Sequence, residues 1–243
     1  MRILSIDTTT MQGSVALSEG DLLIAQEQHG IRATHSERLL ASIDHLLSMA
    51  KWSRSEIEGI AVALGPGSFT GLRIGLATAK GMALAIGCPI VGVSSLECLA
   101  LNGRGAEGTV VSLIDAKRGE LYAAAYRIPW EGRLQTVMEE CVLGPDELVK
   151  RLETIEASLI LVGDGVIRYG SRLQEALGGR ASMPKGVYSF PQAHNLAILA
   201  LERLGRGEHG DLASLAPNYI RRSDAEIGFK GGRGRRKAGG SKR

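Results

Sequence analysis

A strand ending on Ile-Asp, a short polar turn and a glycine opening the next strand occur twice in this chain of 243 residues. The first copy is Ile6-Asp7 followed by Gly13, and the second is Ile114-Asp115 followed by Gly119. Two copies are too few for a solenoid, which needs at least three stacked units to bury its faces, so the repeat predicts two related lobes. In the first copy, residues 2–7, 13–19 and 21–28 read as three strands joined by tight connections, an antiparallel opening.

The period then changes. Leu39, Leu40, Ile43, Leu46, Leu47 and Ala50 recur at helical spacing from about His35 onward, with Glu37, Arg38, Ser42 and Asp44 on the other face. Ser53 and Glu56 have capping-box spacing and precede an apolar strand at 59–64, which Gly65-Pro66-Gly67 breaks. Ser68 is placed as the N-cap of a second helix reaching about Ile86, with Pro89 just beyond it and a buried strand at 90–93. The second copy continues with strands at 110–115 and 119–127, a helix at 145–153, a strand at 159–162 and helices near 169–177 and 192–204. Alternating strands and helices of this kind predict an α/β fold with mixed central sheets and a second lobe reduced relative to the first.

No apolar run is long enough for a signal peptide or a membrane span, so a cytoplasmic protein with no membrane association is expected. Cys88, Cys98 and Cys141 are odd in number and share no CxxC spacing, so they read as reduced thiols rather than as disulfides or zinc ligands. The formal charge of +3 hides an asymmetry. Residues 230–243 hold seven basic residues and no acidic one, which leaves the body mildly acidic. Apolar residues thin out from Arg221, and burial there cannot offset chain entropy, so residues 223–243 are expected to form a basic disordered tail.

Asp7-Thr8-Thr9, at the end of a first strand and before a hairpin, resembles the first phosphate loop of the actin, sugar-kinase and heat-shock ATPase superfold. The base-rate reading is plainer: a strand-terminal Asp caps a neighbouring amide. Far more specific is Gly65-Pro66-Gly67-Ser68-Phe69-Thr70-Gly71-Leu72-Arg73-Ile74-Gly75-Leu76, which is nearly a signature of the TsaB family, also called YeaZ. Ile6-Asp7-Thr8-Thr9, His35-Ser36-Glu37-Arg38-Leu39 and the run from Asp115 to Tyr122 agree with it, and the resemblance covers roughly residues 1–222.

That resemblance implies a two-lobed actin-like (ribonuclease H-like) fold, with an N-terminal lobe at 1–104 and a reduced C-terminal lobe at 105–222. It also implies a non-catalytic partner of a larger paralogue, TsaD, working with the ATPase TsaE to attach threonylcarbamoyl to the adenosine next to the anticodon of tRNA. TsaB-like proteins dock on TsaD through their first two helices and pair with themselves through much the same surface when alone. No cofactor is expected on this chain, although the complex uses ATP.

The residues support an adaptor. The catalytic paralogue holds a metal through His-x-x-x-His, which puts two ligands on one helical face. Here His35 and His45 are ten apart, turned by roughly 80° from one another on a helix. The Gly-Pro-Gly-Ser loop lacks the lysine that a P-loop places on phosphate. Asp7 and Asp115 are candidates for magnesium, and Gly163-Asp164-Gly165 for an adenosine loop, in the rival reading of an autonomous small-molecule kinase or ATPase. Asp7, Thr8, Thr9 and Asp115 are otherwise a vestigial phosphate loop.

Gly71, Gly75 and Ala79 lie four apart and make a strip without large side chains, open either to another helix or to the protein's own sheet. With the resemblance, the expected interface set is Leu39, Ile43, Leu46, Gly71, Ile74, Gly75, Thr78 and Met82. The tail lies outside the resemblance, and by charge alone Lys230, Arg233, Arg235, Arg236 and Lys237 are candidate tRNA contacts; a free-standing RNA-binding protein rests only on them.

Overall fold

The computed structural model describes residues 1–30, 35–129, 133–184 and 186–221. The expected disordered tail, with Lys230, Arg233, Arg235, Arg236 and Lys237, lies outside the described residues, as do the side chains of His35, Ser36 and Glu37.

The duplication is complete in outline. The first copy runs β1 (Arg2–Asp7), β2 (Gly13–Glu19), β3 (Leu22–His29), α1 (His35–Ala50), β4 (Gly59–Gly65), α2 (Phe69–Ile86), β5 (Ile90–Ser94) and α3 (Ser95–Ala100). The second repeats the order as β6 (Thr109–Lys117), β7 (Glu120–Arg127), β8 (Gln135–Leu143), α4 (Pro145–Glu153), β9 (Leu159–Val162), α5 (Asp164–Leu177), β10 (Ala181–Ser182) and α6 (Ala193–Leu204). Each copy gives a five-stranded sheet, in the orders β3-β2-β1-β4-β5 and β10-β9-β6-β7-β8. The meander is antiparallel, and β4 and β5, like β9 and β10, join in parallel through crossover helices. The second copy repeats every part, and the reduction lies in its crossovers and last strand: α4 has 9 residues against 16 in α1, and β10 has two against five in β5.

Alternation along β1 sorts side chains to opposite faces of the first sheet. Leu4 and Ile6 join Leu39, Ile43, Leu46 and Leu47 of α1 and Leu76 and Ala79 of α2 in one core, while Ile3 points the other way, into a core with Cys98 of α3 and Leu196 and Ala200 of α6. Each large aliphatic side chain so buried contributes about 2 kcal/mol. α2 begins where Ser68 Oγ accepts from the Gly71 amide at 3.3 Å, and it ends at Gly87, whose φ of 79° is left-handed.

Packing does not follow chain order. α6, the last helix, lies on β1, β2 and β5 of the first sheet, and α3, from the first copy, packs on β6 and β7 of the second. Beyond α6 the chain stays with the first sheet: Gly210 bridges Ile90, and the Asn218 amide donates to the Leu64 carbonyl at 2.7 Å. α3 and α6 are thus each packed on the sheet of the other copy.

Candidate functional site

The ends of the two central strands, β1 and β6, carry the carboxylates singled out by sequence. Asp7 is fully buried, and its Oδ1 accepts from the Thr9 amide at 2.9 Å and the Thr9 hydroxyl at 3.0 Å. Burial pushes its carboxyl up to about 6, against the opposing pull of the two Thr9 donors. The Thr8 hydroxyl donates to the Gly71 carbonyl at 2.7 Å, and the Thr10 hydroxyl to the Gln12 carbonyl at 2.9 Å. All three threonine hydroxyls are therefore spent within the chain.

What fills the loop is the glycine-rich start of α2. The Ser68 amide donates to the Thr9 carbonyl at 2.7 Å. A Cβ built on Gly67 would stand 2.2 Å from the Thr9 carbonyl oxygen, on Gly71 1.9 Å from that of Thr8, and on Gly75 2.3 Å from the Thr8 hydroxyl. These approaches leave no space between the loop and the start of the helix. They also resolve the two readings of the small-residue strip. Gly71 and Gly75 admit the chain's own β1 loop, and the expectation that they meet a partner is corrected accordingly.

The same correction applies to Leu39, Ile43 and Leu46, which are at most 5% exposed and belong to the core under the first sheet. Ile74, Thr78 and Met82 of the expected set are half-buried, and Ile74 and Met82 also lean on that core. The apolar side chains that α1 and α2 do present are others: Leu40 at 55%, Met49 at 62% and Leu84 at 75% exposure. At the head of α2, the Arg73 guanidinium lies 3.9 Å over the Phe69 ring, and Tyr219 stacks on the same ring at 5.1 Å. Helical periodicity alone identified the apolar stripe of α1, but that stripe is the one facing inward.

In the second lobe, Asp115 is held by cations. Its Oδ2 accepts from Lys117 Nζ at 2.9 Å and Arg168 at 3.1 Å, and its Oδ1 from the Lys117 amide at 2.8 Å. Burial pushes this carboxyl up, and the bonds from Lys117 and Arg168 outweigh it and hold the group below the usual range. Asp164 Oδ1 accepts from the Asp115 amide at 2.9 Å, and burial raises its carboxyl, with the Asp115 charge adding to the rise. Gly163-Asp164-Gly165 forms the start of α5. A Cβ on Gly163 would lie 2.0 Å from the Leu113 carbonyl oxygen, and one on Gly165 2.6 Å from the Leu121 side chain, so both glycines exist to let helix meet sheet. Among the described residues no three His, Cys, Asp or Glu side chains converge as a metal-binding group.

Comparison with known proteins matches these features to a family. The model described as TsaD, tRNA N6-adenosine threonylcarbamoyltransferase, matches residues 25–229. The tRNA threonylcarbamoyladenosine biosynthesis protein TsaB of Bacillus subtilis (strain 168) is 31% identical over 226 residues, covering 93% of this chain and 96% of that protein. The chain belongs to the TsaB family. Its fold agrees with a solved structure from Pseudomonas aeruginosa, described as an uncharacterized protein with similarity to peptidase YEAZ. That structure has a TM-score of 0.78 at 30% identity over 90% of this chain and 99% of the other. At the level of fold alone, the likeness extends to the activator of the 2-hydroxyisocaproyl-CoA dehydratase from Clostridium difficile, with TM-score 0.51 and 14% identity over 85% of this chain and 97% of that one. The two-lobed α/β architecture is thus that of the actin-like fold, carried here by a TsaB-family chain whose Thr8 hydroxyl is bonded to the start of α2.

Proposed function

We propose that this chain is a non-catalytic accessory subunit in the formation of N6-threonylcarbamoyladenosine in tRNA, docking on a TsaD-like catalytic subunit and stabilising its active arrangement. The pathway comes from the names of its relatives. The observation that carries the accessory role is the closed loop. Asp7 and Thr9 bind one another and Thr8 binds the start of α2, so the side chains that would face a phosphate are engaged within the chain. The chemistry then belongs to the partner, together with a TsaE-like ATPase and the ATP that the complex uses, in the cytoplasm where tRNA is modified.

The docking surface is the exposed side of α1 and α2. Leu40, Met49 and Leu84 offer apolar area to a partner, with half-buried Ile74, Thr78 and Met82 behind them. In the absence of TsaD the same surface serves a second copy of the chain.

The test is reconstituted modification of an unmodified tRNA with threonine, bicarbonate, ATP, the carbamoyl-adenylate synthase, TsaD and TsaE, with this chain present or omitted. Product is expected only when the chain is present, while the chain alone turns over no ATP. Undiminished product on omission, or nucleotide turnover by the isolated chain, overturns the reading.

A further inference from the structure

No helix or strand follows α6 among the described residues, but residues 210–221 are not left to solvent. The Gly210 amide donates to the Ile90 carbonyl at 2.8 Å at the edge of the first sheet, and Leu212 and Leu215 lean on the core under that sheet. The Asp211 carboxylate holds the turn between them, accepting from the Ser214 amide at 3.0 Å. Five residues on, Ile220 leans on a different core, made by Leu96 and Leu99 of α3 with Ile114, Tyr122 and Tyr126 of the second sheet. The chain thus crosses from one lobe to the other between Leu215 and Ile220, a segment that reaches about 17 Å at full extension. So short a link leaves little slack while both ends are held.

The two ends are held differently. On the first lobe the bonds are to backbone and stacked rings. The Asn218 amide donates to the Leu64 carbonyl at 2.7 Å, Tyr219 stacks on Phe69 at 5.1 Å, and Arg73 Nε donates to the Tyr219 hydroxyl at 3.2 Å. On the second lobe they are side-chain bonds to two carboxylates: Asn218 Nδ2 donates to Glu140 Oε2 at 3.1 Å, and Arg221 to Glu120 Oε2 at 2.9 Å. Glu120 is 41% exposed at the side chain, and an ion pair so open to water contributes little to holding the chain. Ile220, the apolar contact at this end, is only half-buried. Elsewhere the lobes meet through α3, a helix of six residues that packs on both sheets, and through the Ser94 bond to Glu140. A single short helix is a joint, and motion between lobes is the default where little else ties them.

We propose that residues 210–221 are a strap that sets the angle between the two lobes, fixed to the first lobe and latched to the second through Asn218, Ile220 and Arg221. When the latch opens, the strap stays on the first lobe and the second lobe turns about α3. Local opening of this kind starts where buried apolar contacts are fewest, which is the Glu120 and Glu140 end.

The test compares the orientation of the lobes in the full-length chain by residual dipolar couplings of backbone amides. In the unaltered chain, the amides of β1 to β5 and of β6 to β9 are expected to fit one alignment tensor. In Asn218→Ala with Ile220→Ala and Arg221→Gln, which frees the latch and leaves the first-lobe anchors, each lobe is expected to keep couplings consistent with its own sheet. The common tensor is expected to be lost, with a smaller magnitude in one lobe than in the other. A conservative variant, Ile220→Val with Arg221→Lys, retains the contacts and is expected to keep the single tensor. One tensor fitting the latch variant overturns the proposal, because α3 and α6 would then fix the angle unaided. Two tensors in the unaltered chain or in the conservative variant overturn it as well. Loss of consistent couplings within the second lobe of the latch variant would make the segment part of that lobe's core, and the strap would fall with it. The omission experiment above is scored separately, so the accessory role and the strap can fail independently.

Discussion

At Asp7, a carboxylate that could have served phosphate chemistry is a buried turn residue. Its folded-state value of about 6 lies above the ordinary 3.8, so between those limits the folded chain keeps a proton that the unfolded chain has released. Stability therefore falls as pH rises through that window, and the penalty is complete above pH 6. Asp7→Asn is expected to raise stability at pH 7 by about 3 kcal/mol and to flatten the pH 4–6 limb of a denaturation series, without loss of tRNA modification. A catalytic or magnesium-holding Asp7 would instead lose activity. At Gly71 the opposite sensitivity holds. A methyl group 1.9 Å from the Thr8 carbonyl has nowhere to go, so Gly71→Ala is expected to cost about 3 kcal/mol or more in urea denaturation.

Among the elements, α2 does two jobs with two sides. Its small residues admit the β1 loop, and Leu84 and its neighbours face solvent. Leu84→Glu is expected to leave thermal stability within about 0.5 kcal/mol and to abolish co-elution with a TsaD-like subunit, since a charge on an apolar docking face disrupts association and not the fold. Most elements were legible. The helical spacing of Leu39 to Ala50, the Ser53–Glu56 box and the cap at Ser68 all predicted what forms. The misses have physical causes. β8 mixes Thr136, Glu139 and Glu140 with half-buried apolar residues because it is an edge strand, so no clean alternation marks it. α5 starts five residues before the expected Tyr169 because Gly163-Asp164-Gly165 has the composition of a turn, and only the nearness of β6 explains those glycines. Leu39, Ile43, Leu46, Gly71 and Gly75 face the chain itself for a related reason: periodicity shows that a helix has an apolar side and not what that side meets.

In the whole molecule, the two sheets are joined through a polar cluster. Glu97 of α3 bonds Arg203 of α6 at 2.6 Å, and Arg203 also donates to the Gly92 carbonyl. Across the junction Glu140 of β8 accepts from Ser94, from Asn218 at 3.1 Å and from Tyr126. Burial raises the Glu140 carboxyl, and the nearby Glu97 charge raises it further. Arg203→Ala leaves that charge uncompensated and is expected to cost about 2 kcal/mol by urea denaturation, with part recovered when Glu97→Gln is added. Additive losses would show that the pair does not couple the lobes.

The position of α6 also bears on how the chain is made. About 110 residues separate the end of β5 from the end of α6, roughly 5 to 20 s of ribosomal synthesis. Throughout that interval Ile3, Ala61 and Val91 lack the Leu196 and Ala200 that later cover them. The nascent chain must therefore carry a finished sheet with one greasy side bare until its last helix emerges, which makes the half-made protein a natural client for chaperones and the completed one a single cooperative unit.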